Sequence, residues 1–299
     1  MKNKILSRLL MLMFLYFFSI STTDASSLGI IYPLYSYPNW YDSDSYIYDD
    51  VASAGQQVKI TTIINPDNGP GGPSSPNGDY QRGLSDLSAG NVGMVGYVHT
   101  SYGKRDIEEV KSEIIKYNDS FNTANFNVTG IFFDEVSSST DHQVMNYYRN
   151  LYDFVKNDIH STNLDMVIFN HGTHAPSSYL DFSDVMVIFE GSYQQWTDYE
   201  PDAYVEAYPS NRFAAFIYDV PSPGDMKTSI DLAMSRHVGN VFITDDALPN
   251  PWDSLPSYWK DEVSDVAAVP LPSSALFFLT GSTFIFWFWG KKDPKVMSK

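Results

Sequence analysis

Two adjacent carboxylates, Asp134 and Glu135, end the apolar run "GIFFDE" (130–135), and a third, Glu190, ends "VMVIFE" (185–190). Placing ionised acids at the ends of buried runs costs free energy unless partners or chemistry justify it. Glycoside hydrolysis is a chemistry that requires such paired acids. One carboxyl must hold a proton for the leaving oxygen while the other attacks the sugar or activates water. Neighbouring residues of a strand face opposite ways, so Asp134 and Glu135 are both central only if the strand has ended there. For each acid taken alone, a hydrogen-bonding or ion-pairing role at a strand end is the alternative.

Other side chains suggest other chemistry. His171 and His174 in "NHGTHA" (170–175), with Asp134 as a third ligand, would suit a metal-dependent polysaccharide deacetylase. Their spacing of three on a predicted loop fits ordinary polar loop residues better, and neither a metal nor a cofactor is expected. The chain contains no cysteine, which excludes disulfides, thiolate metal sites and a cysteine nucleophile. No G-x-S-x-G elbow, glycine-rich dinucleotide fingerprint or P-loop is present.

The elements that must position these residues are eight short apolar runs: 29–35, 58–65, 92–98, 130–135, 165–170, 184–190, 212–218 and 239–246. They are near-continuously apolar, as strands covered on both faces are. Helical patterns fall between several of them, at 78–91, 105–118, 141–158 and 222–239. The second of these carries Ile107, Val110, Ile114 and Ile115 as its stripe, and the last carries Met226, Ile230, Ala233 and Met234. Alternating strands and helices predict a parallel sheet, and eight strands over about 244 residues fit a (β/α)8 TIM-type barrel in a single α/β domain. The 170–184 step is too short for a full helix, which predicts a degenerate unit there. A doubly wound open sheet is the alternative.

In such a barrel, chemistry collects at the C-terminal ends of the strands. Those positions hold Tyr32 and Tyr35, Asn65, His99, Asp134 and Glu135, Asn170 and His171, Glu190, Tyr218, and Asp245 with Asp246. Each can hydrogen-bond a sugar or move a proton. The opposite ends show no recurring chemistry.

The two ends of the chain read as processing segments. Residues 1–25 have Lys2, Lys4 and Arg8 ahead of an apolar run from Leu9 to Phe18, the layout of a secretory signal peptide. Residues 270–299 place an apolar run, Ala275–Trp289, before Lys291 and Lys292, and lysines after a short span predict a cytoplasmic tail. With "VPLP" at 269–272 this end resembles the bacterial PEP-CTERM sorting signal. The resemblance implies a Gram-negative host that makes exopolysaccharide, transient inner-membrane anchoring and cleavage by an exosortase-like protease. A plain anchor is the alternative. Residues 26–269 keep 12 basic against 34 acidic side chains. That field repels nucleic acid and favours cations, although solubility alone would also account for it.

The segments "GIIYPLYSYPNW", "IINPDNGPGG", "DYQRGLSDLSAGNVGMVGYVHTSYGKR", "VTGIFFDE" and "VIFEGSY" together resemble, in order and spacing, the spherulation-specific family 4 (spherulin-4-like) proteins across residues 28–250. The resemblance implies a (β/α)8 fold like that of glycoside hydrolase family 135. It also implies endo-action on α-1,4-linked galactosamine and N-acetylgalactosamine polymers of biofilms. By resemblance, Asp134 is the nucleophile or transition-state stabiliser, Glu190 the general acid/base and Glu135 a support. Tyr32, Asn65, His99 and Tyr102 fall in the matched motifs as cleft residues, and Asn170, His171, Tyr218 and Asp245 join them as expected substrate contacts. The expected partner is a polysaccharide, and an acidic cleft would suit partly deacetylated, cationic chains. A non-catalytic glycan-binding matrix protein on the same barrel is the rival reading.

Overall fold

The structure is a computed structural model, and it describes residues 27–42, 46–158 and 164–269. The expected leader and sorting segment, residues 1–25 and 270–299, lie outside the described residues. No helix among the described residues is long and apolar enough to cross a membrane.

Eight parallel strands close into a barrel in chain order: β1 Gly29–Leu34, β2 Ile60–Ile64, β3 Gly93–His99, β4 Gly130–Asp134, β5 Met166–Asn170, β6 Val185–Ser192, β7 Phe213–Tyr218 and β8 Asn240–Ile243. All eight apolar runs therefore become strands. Their burial on both faces explains why their sequences do not alternate: in β1, β2 and β8 every residue is buried. The rings of Tyr97, Phe132 and Phe216 stack at 6.2 Å centroid spacing. Because β4 and β7 are not neighbours, the Phe132–Phe216 contact crosses the barrel interior and fixes which residues point inward.

Around the barrel run α1 Tyr48–Gly55, α2 Gly78–Ala89, α3 Ile107–Ser120, α4 His142–Asp153, α5 Tyr193–Asp198, α6 Pro223–Ser235 and α7 Trp259–Ala268. Side chains cap several starts: Asn77 accepts from Tyr80 N, Asp106 from Glu108 N and Asp141 from Gln143 N, while Ser222 precedes a proline. The 170–184 step holds only a 3-10 turn, Ser177–Phe182, as its length predicts.

Helices α1, α5 and α7 were not anticipated. The first two have eight and six residues, too few to display a periodic stripe. The apolar stripes also need correcting. Ile115 and Met234 are exposed, and Tyr117 takes the inner position in α3 with its hydroxyl donating to the Ile64 carbonyl.

Close approach of backbones explains the first residue of "GIFFD". A Cβ on Gly130 would lie 2.3 Å from the Met166 carbonyl oxygen of the next strand. Only glycine lets β4 and β5 come together at that point.

Candidate active site

The site forms where β3, β4, β5 and β6 end. Asp134 is the last residue of β4 and pairs in register with His99. Three donors converge on its carboxylate. The Tyr97 hydroxyl donates to Oδ2 at 2.7 Å, Asn170 Nδ2 to Oδ1 at 2.8 Å, and the Glu135 backbone N–H to Oδ1 at 2.9 Å. Burial and the Asp134 charge push the Tyr97 phenol well above its usual range, so it remains a donor.

Glu190 reaches the same point from β6 by way of a β-bulge. The β6–β7 register runs Val187↔Ala214, then Phe189↔Ala215 and Glu190↔Phe216. Phe216 points into the barrel, so Glu190 does too. Without the extra residue, Glu190 would align with Ile217 and face outward. Burial first, and the charge of Asp134 after it, raise the Glu190 carboxyl to about 7, against a lowering contribution from Asn170.

Asn170 joins the two acids. Its Nδ2 donates to Asp134 Oδ1 at 2.8 Å and to Glu190 Oε2 at 2.7 Å. Those two oxygens are therefore at most 5.5 Å apart, the length of the two bonds laid end to end. Two neighbouring carboxyl groups thus occupy opposed environments. One is held by three donors, and the other is pushed toward its neutral form at near-neutral pH, the arrangement that separates a nucleophile from a proton donor.

Glu135 sits differently. The strand has ended, and a left-handed turn (φ 53°) takes its side chain to the rim, 42% exposed and 3.7 Å from His99 Nδ1. Its carbonyl is held by Thr100 Oγ1 and by the Tyr102 N–H. Ser101 and Tyr102 are also left-handed, so three strained non-glycine residues border the site. Tyr102 presents an exposed ring there.

Several expected contacts lie elsewhere. Tyr32 is fully buried between Phe242 and Trp259, with its hydroxyl donating to the Ser254 carbonyl. Tyr35, three residues on and so on the opposite face by strand alternation, is the one beside the acids. It meets the Tyr97 ring edge-on at 5.6 Å.

Asp245 is occupied by the Ser257 backbone N–H and hydroxyl, and Asp246 by the Ser254 hydroxyl, so both hold the loop after β8 rather than face a ligand. His171 is buried against Tyr179 at 4.7 Å, and burial lowers its imidazole to about 3, leaving it neutral. His174 pairs with Asp202 at 3.1 Å. No cluster of three metal-capable side chains occurs among the described residues. Asn65 directly follows β2 but spends its Oδ1 on the Gly69 N–H.

Tyr218 does stand at the mouth, edge-on to Trp252 at 6.2 Å. Trp252 also lies 5.9 Å from both Phe216 and Phe242, which places an unanticipated indole over the top of the barrel. Tyr97 was missed as well. Its signal was available, because it lies two residues before His99 and therefore on the same strand face.

Comparisons with known proteins agree with this architecture. A sequence profile described as spherulation-specific family 4 matches residues 29–266. Spherulin-4 of Physarum polycephalum is 33% identical over 260 residues, covering 84% of this chain and 73% of that protein. The crystal structure of Aspergillus clavatus Sph3 in complex with GalNAc is similar at a TM-score of 0.71 and 30% identity, covering 81% of this chain and 98% of Sph3. With the match running through every strand of the barrel and both bridged acids, this chain belongs to the spherulation-specific family 4.

Proposed function

We propose that this protein is a glycoside hydrolase acting within amino-sugar polysaccharide chains. The observation that carries the reading is the Asn170 bridge between Asp134, which accepts three hydrogen bonds, and Glu190, whose carboxyl is raised to about 7 chiefly by burial. The GalNAc held by Sph3 supports N-acetylgalactosamine as part of the substrate. The acidic surface of residues 26–269 suits chains carrying free ammonium groups.

Asp134 attacks the anomeric carbon as the glycosidic bond to the leaving oxygen breaks, and Glu190 gives that oxygen its proton. The covalent glycosyl–enzyme is then opened by water. Glu190 takes the water proton, a new C–O bond forms, and the Asp134 ester bond breaks to restore both acids. A separation of at most 5.5 Å between the bridged oxygens leaves little room for a water between Asp134 and the sugar, which favours retention over inversion. Glu135 and His99, at the rim, support the bound chain. We also propose export and transient anchoring through the terminal segments, with the matrix outside the cell as the place of action.

The test is to incubate the purified protein with an α-1,4-linked galactosamine/N-acetylgalactosamine polymer, with and without chelator. New reducing ends are expected, unaffected by chelator and abolished in Asp134→Asn and Glu190→Gln. The first-formed product should keep the α-anomeric configuration by NMR. Acetate release lost on chelation would replace this reading with a deacetylase. Binding without reducing ends would replace it with a glycan-binding matrix protein.

A further inference from the structure

An enzyme that cuts within a polymer must also hold units on either side of the broken bond, and flat aromatic faces do this by stacking on the C–H faces of pyranose rings. The loop after β1 carries three such rings in the open: Tyr37, Trp40 and Tyr41, at 39%, 43% and 67% exposure. Exposed rings are unremarkable singly. These are contiguous, and two of them are fastened.

The fastening comes from the start of α2. The Trp40 indole N–H donates to Asp79 Oδ1 at 2.7 Å, and the Tyr37 hydroxyl donates to Asp79 Oδ2 at 2.6 Å. Asn77 Nδ2 donates to the same hydroxyl at 2.8 Å. The hydrogen bonds from Tyr37 and then Trp40 hold the Asp79 carboxyl below its usual range. The Arg82 guanidinium lies 4.5 Å from the Trp40 ring centre and backs it, while Tyr41 meets Trp40 edge-on at 5.9 Å and Tyr80 meets Tyr37 edge-on at 5.4 Å. The polar edges of Tyr37 and Trp40 are thus satisfied by the start of α2, and Trp40 keeps the face opposite Arg82 for something else. Ordering exposed side chains costs rotamer entropy that their own slight burial does not return, and a pre-ordered surface recovers that cost when it binds.

The chain runs from this patch straight to the acid site. Tyr37 follows Tyr35 by two residues, a Cα reach of about 7 Å at most. Tyr35 touches Tyr97, and Tyr97 holds Asp134. Beside Tyr37 lies a depression of about 280 Å³ lined by Asn77, Tyr80 and the Gly/Pro-rich loop that follows β2.

We infer that Tyr37, Trp40 and Tyr41 form a second glycan-binding subsite that stacks a hexosamine unit of the same chain, away from the bond that is cut. It rests on the hydrolase reading for the identity of that chain. Aromatic faces also attract ammonium groups, so a deacetylated galactosamine unit gains a cation–π contribution here.

The experiment uses the full protein and two readouts. In the inactive Glu190→Gln background, binding to the galactosamine/N-acetylgalactosamine polymer is measured with and without Trp40→Ala. A loss of about ten-fold is expected, which corresponds to about 1.4 kcal/mol. Trp40→Phe, which keeps a stacking face, should recover most of it. In the active protein, Trp40→Ala should raise KM for the polymer by a similar factor with kcat unchanged, and should leave cleavage of the shortest hydrolysed oligosaccharide unaltered.

Unchanged polymer affinity and KM would overturn the subsite and leave the hydrolase reading intact. Equal losses on short and long substrates would also overturn it, since they would place the effect in the cleft or in folding. Neither binding nor cleavage of the polymer by the unsubstituted protein would overturn both.

Discussion

Glu190 offers the sharpest test, because its protonation links stability to the proposed catalysis. Its carboxyl lies at about 7 in the folded chain against an ordinary 4.5, raised chiefly by burial and further by the Asp134 charge, against the lowering Asn170 hydrogen bond. The unfolded chain releases this proton near 4.5 while the folded chain keeps it until about 7. Its contribution to stability is therefore complete below 4.5 and lost as pH rises to 7. The size is roughly 3 kcal/mol at 1.36 kcal/mol per pKa unit.

Other acids titrate over the same range, so the measurement is a difference. Urea unfolding of the wild type and of Glu190→Gln, whose amide does not titrate, is followed from pH 4 to 8. The stability difference should shift by roughly 3 kcal/mol against the wild type across that span. The kinetic arm is the alkaline limb of kcat/KM, with a midpoint near 7. Asn170 favours the charged form of Glu190, so Asn170→Ala should move that limb to higher pH while lowering the rate. A flat stability difference, or a limb that stays in place or moves down in Asn170→Ala, would refute the assignment of Glu190 as the proton donor.

Two further outcomes follow from the geometry. Tyr97→Phe removes the 2.7 Å donor to Asp134 but keeps the ring that stacks on Phe132. We expect kcat/KM to fall by about 10–100-fold, as for loss of a charge-assisted hydrogen bond worth roughly 1.5–3 kcal/mol, with the melting temperature nearly unchanged. Gly130→Ala drives a methyl to 2.3 Å from the Met166 carbonyl oxygen, which belongs to backbone and cannot rotate away. Thermal unfolding should show a loss of about 1–3 kcal/mol or more, or failure to fold, from overpacking at the β4–β5 contact.

The barrel was legible in the chain because strands buried on both faces must be apolar throughout. Eight such runs, with helical periods between them, admit few other folds. Asp134, Asn170 and Glu190 were legible as exit residues for the same reason, since a barrel exposes polar groups only where its strands stop. Tyr32 and Asp245 met that criterion equally well and do not reach the cleft: strand alternation turns one toward the helices, and Ser257 satisfies the other.

What remained was decided between strands that are distant in sequence. The extra residue between Val187 and Phe189 sets which face Glu190 takes. Asn170 becomes a bridge only because β4, β5 and β6 end side by side. The raised Glu190 carboxyl follows from burial and from the nearby Asp134 charge, neither of which is a property of any local stretch of sequence. Local composition determined that acids would stand at the mouth of a barrel, and cross-strand register decided which two face each other.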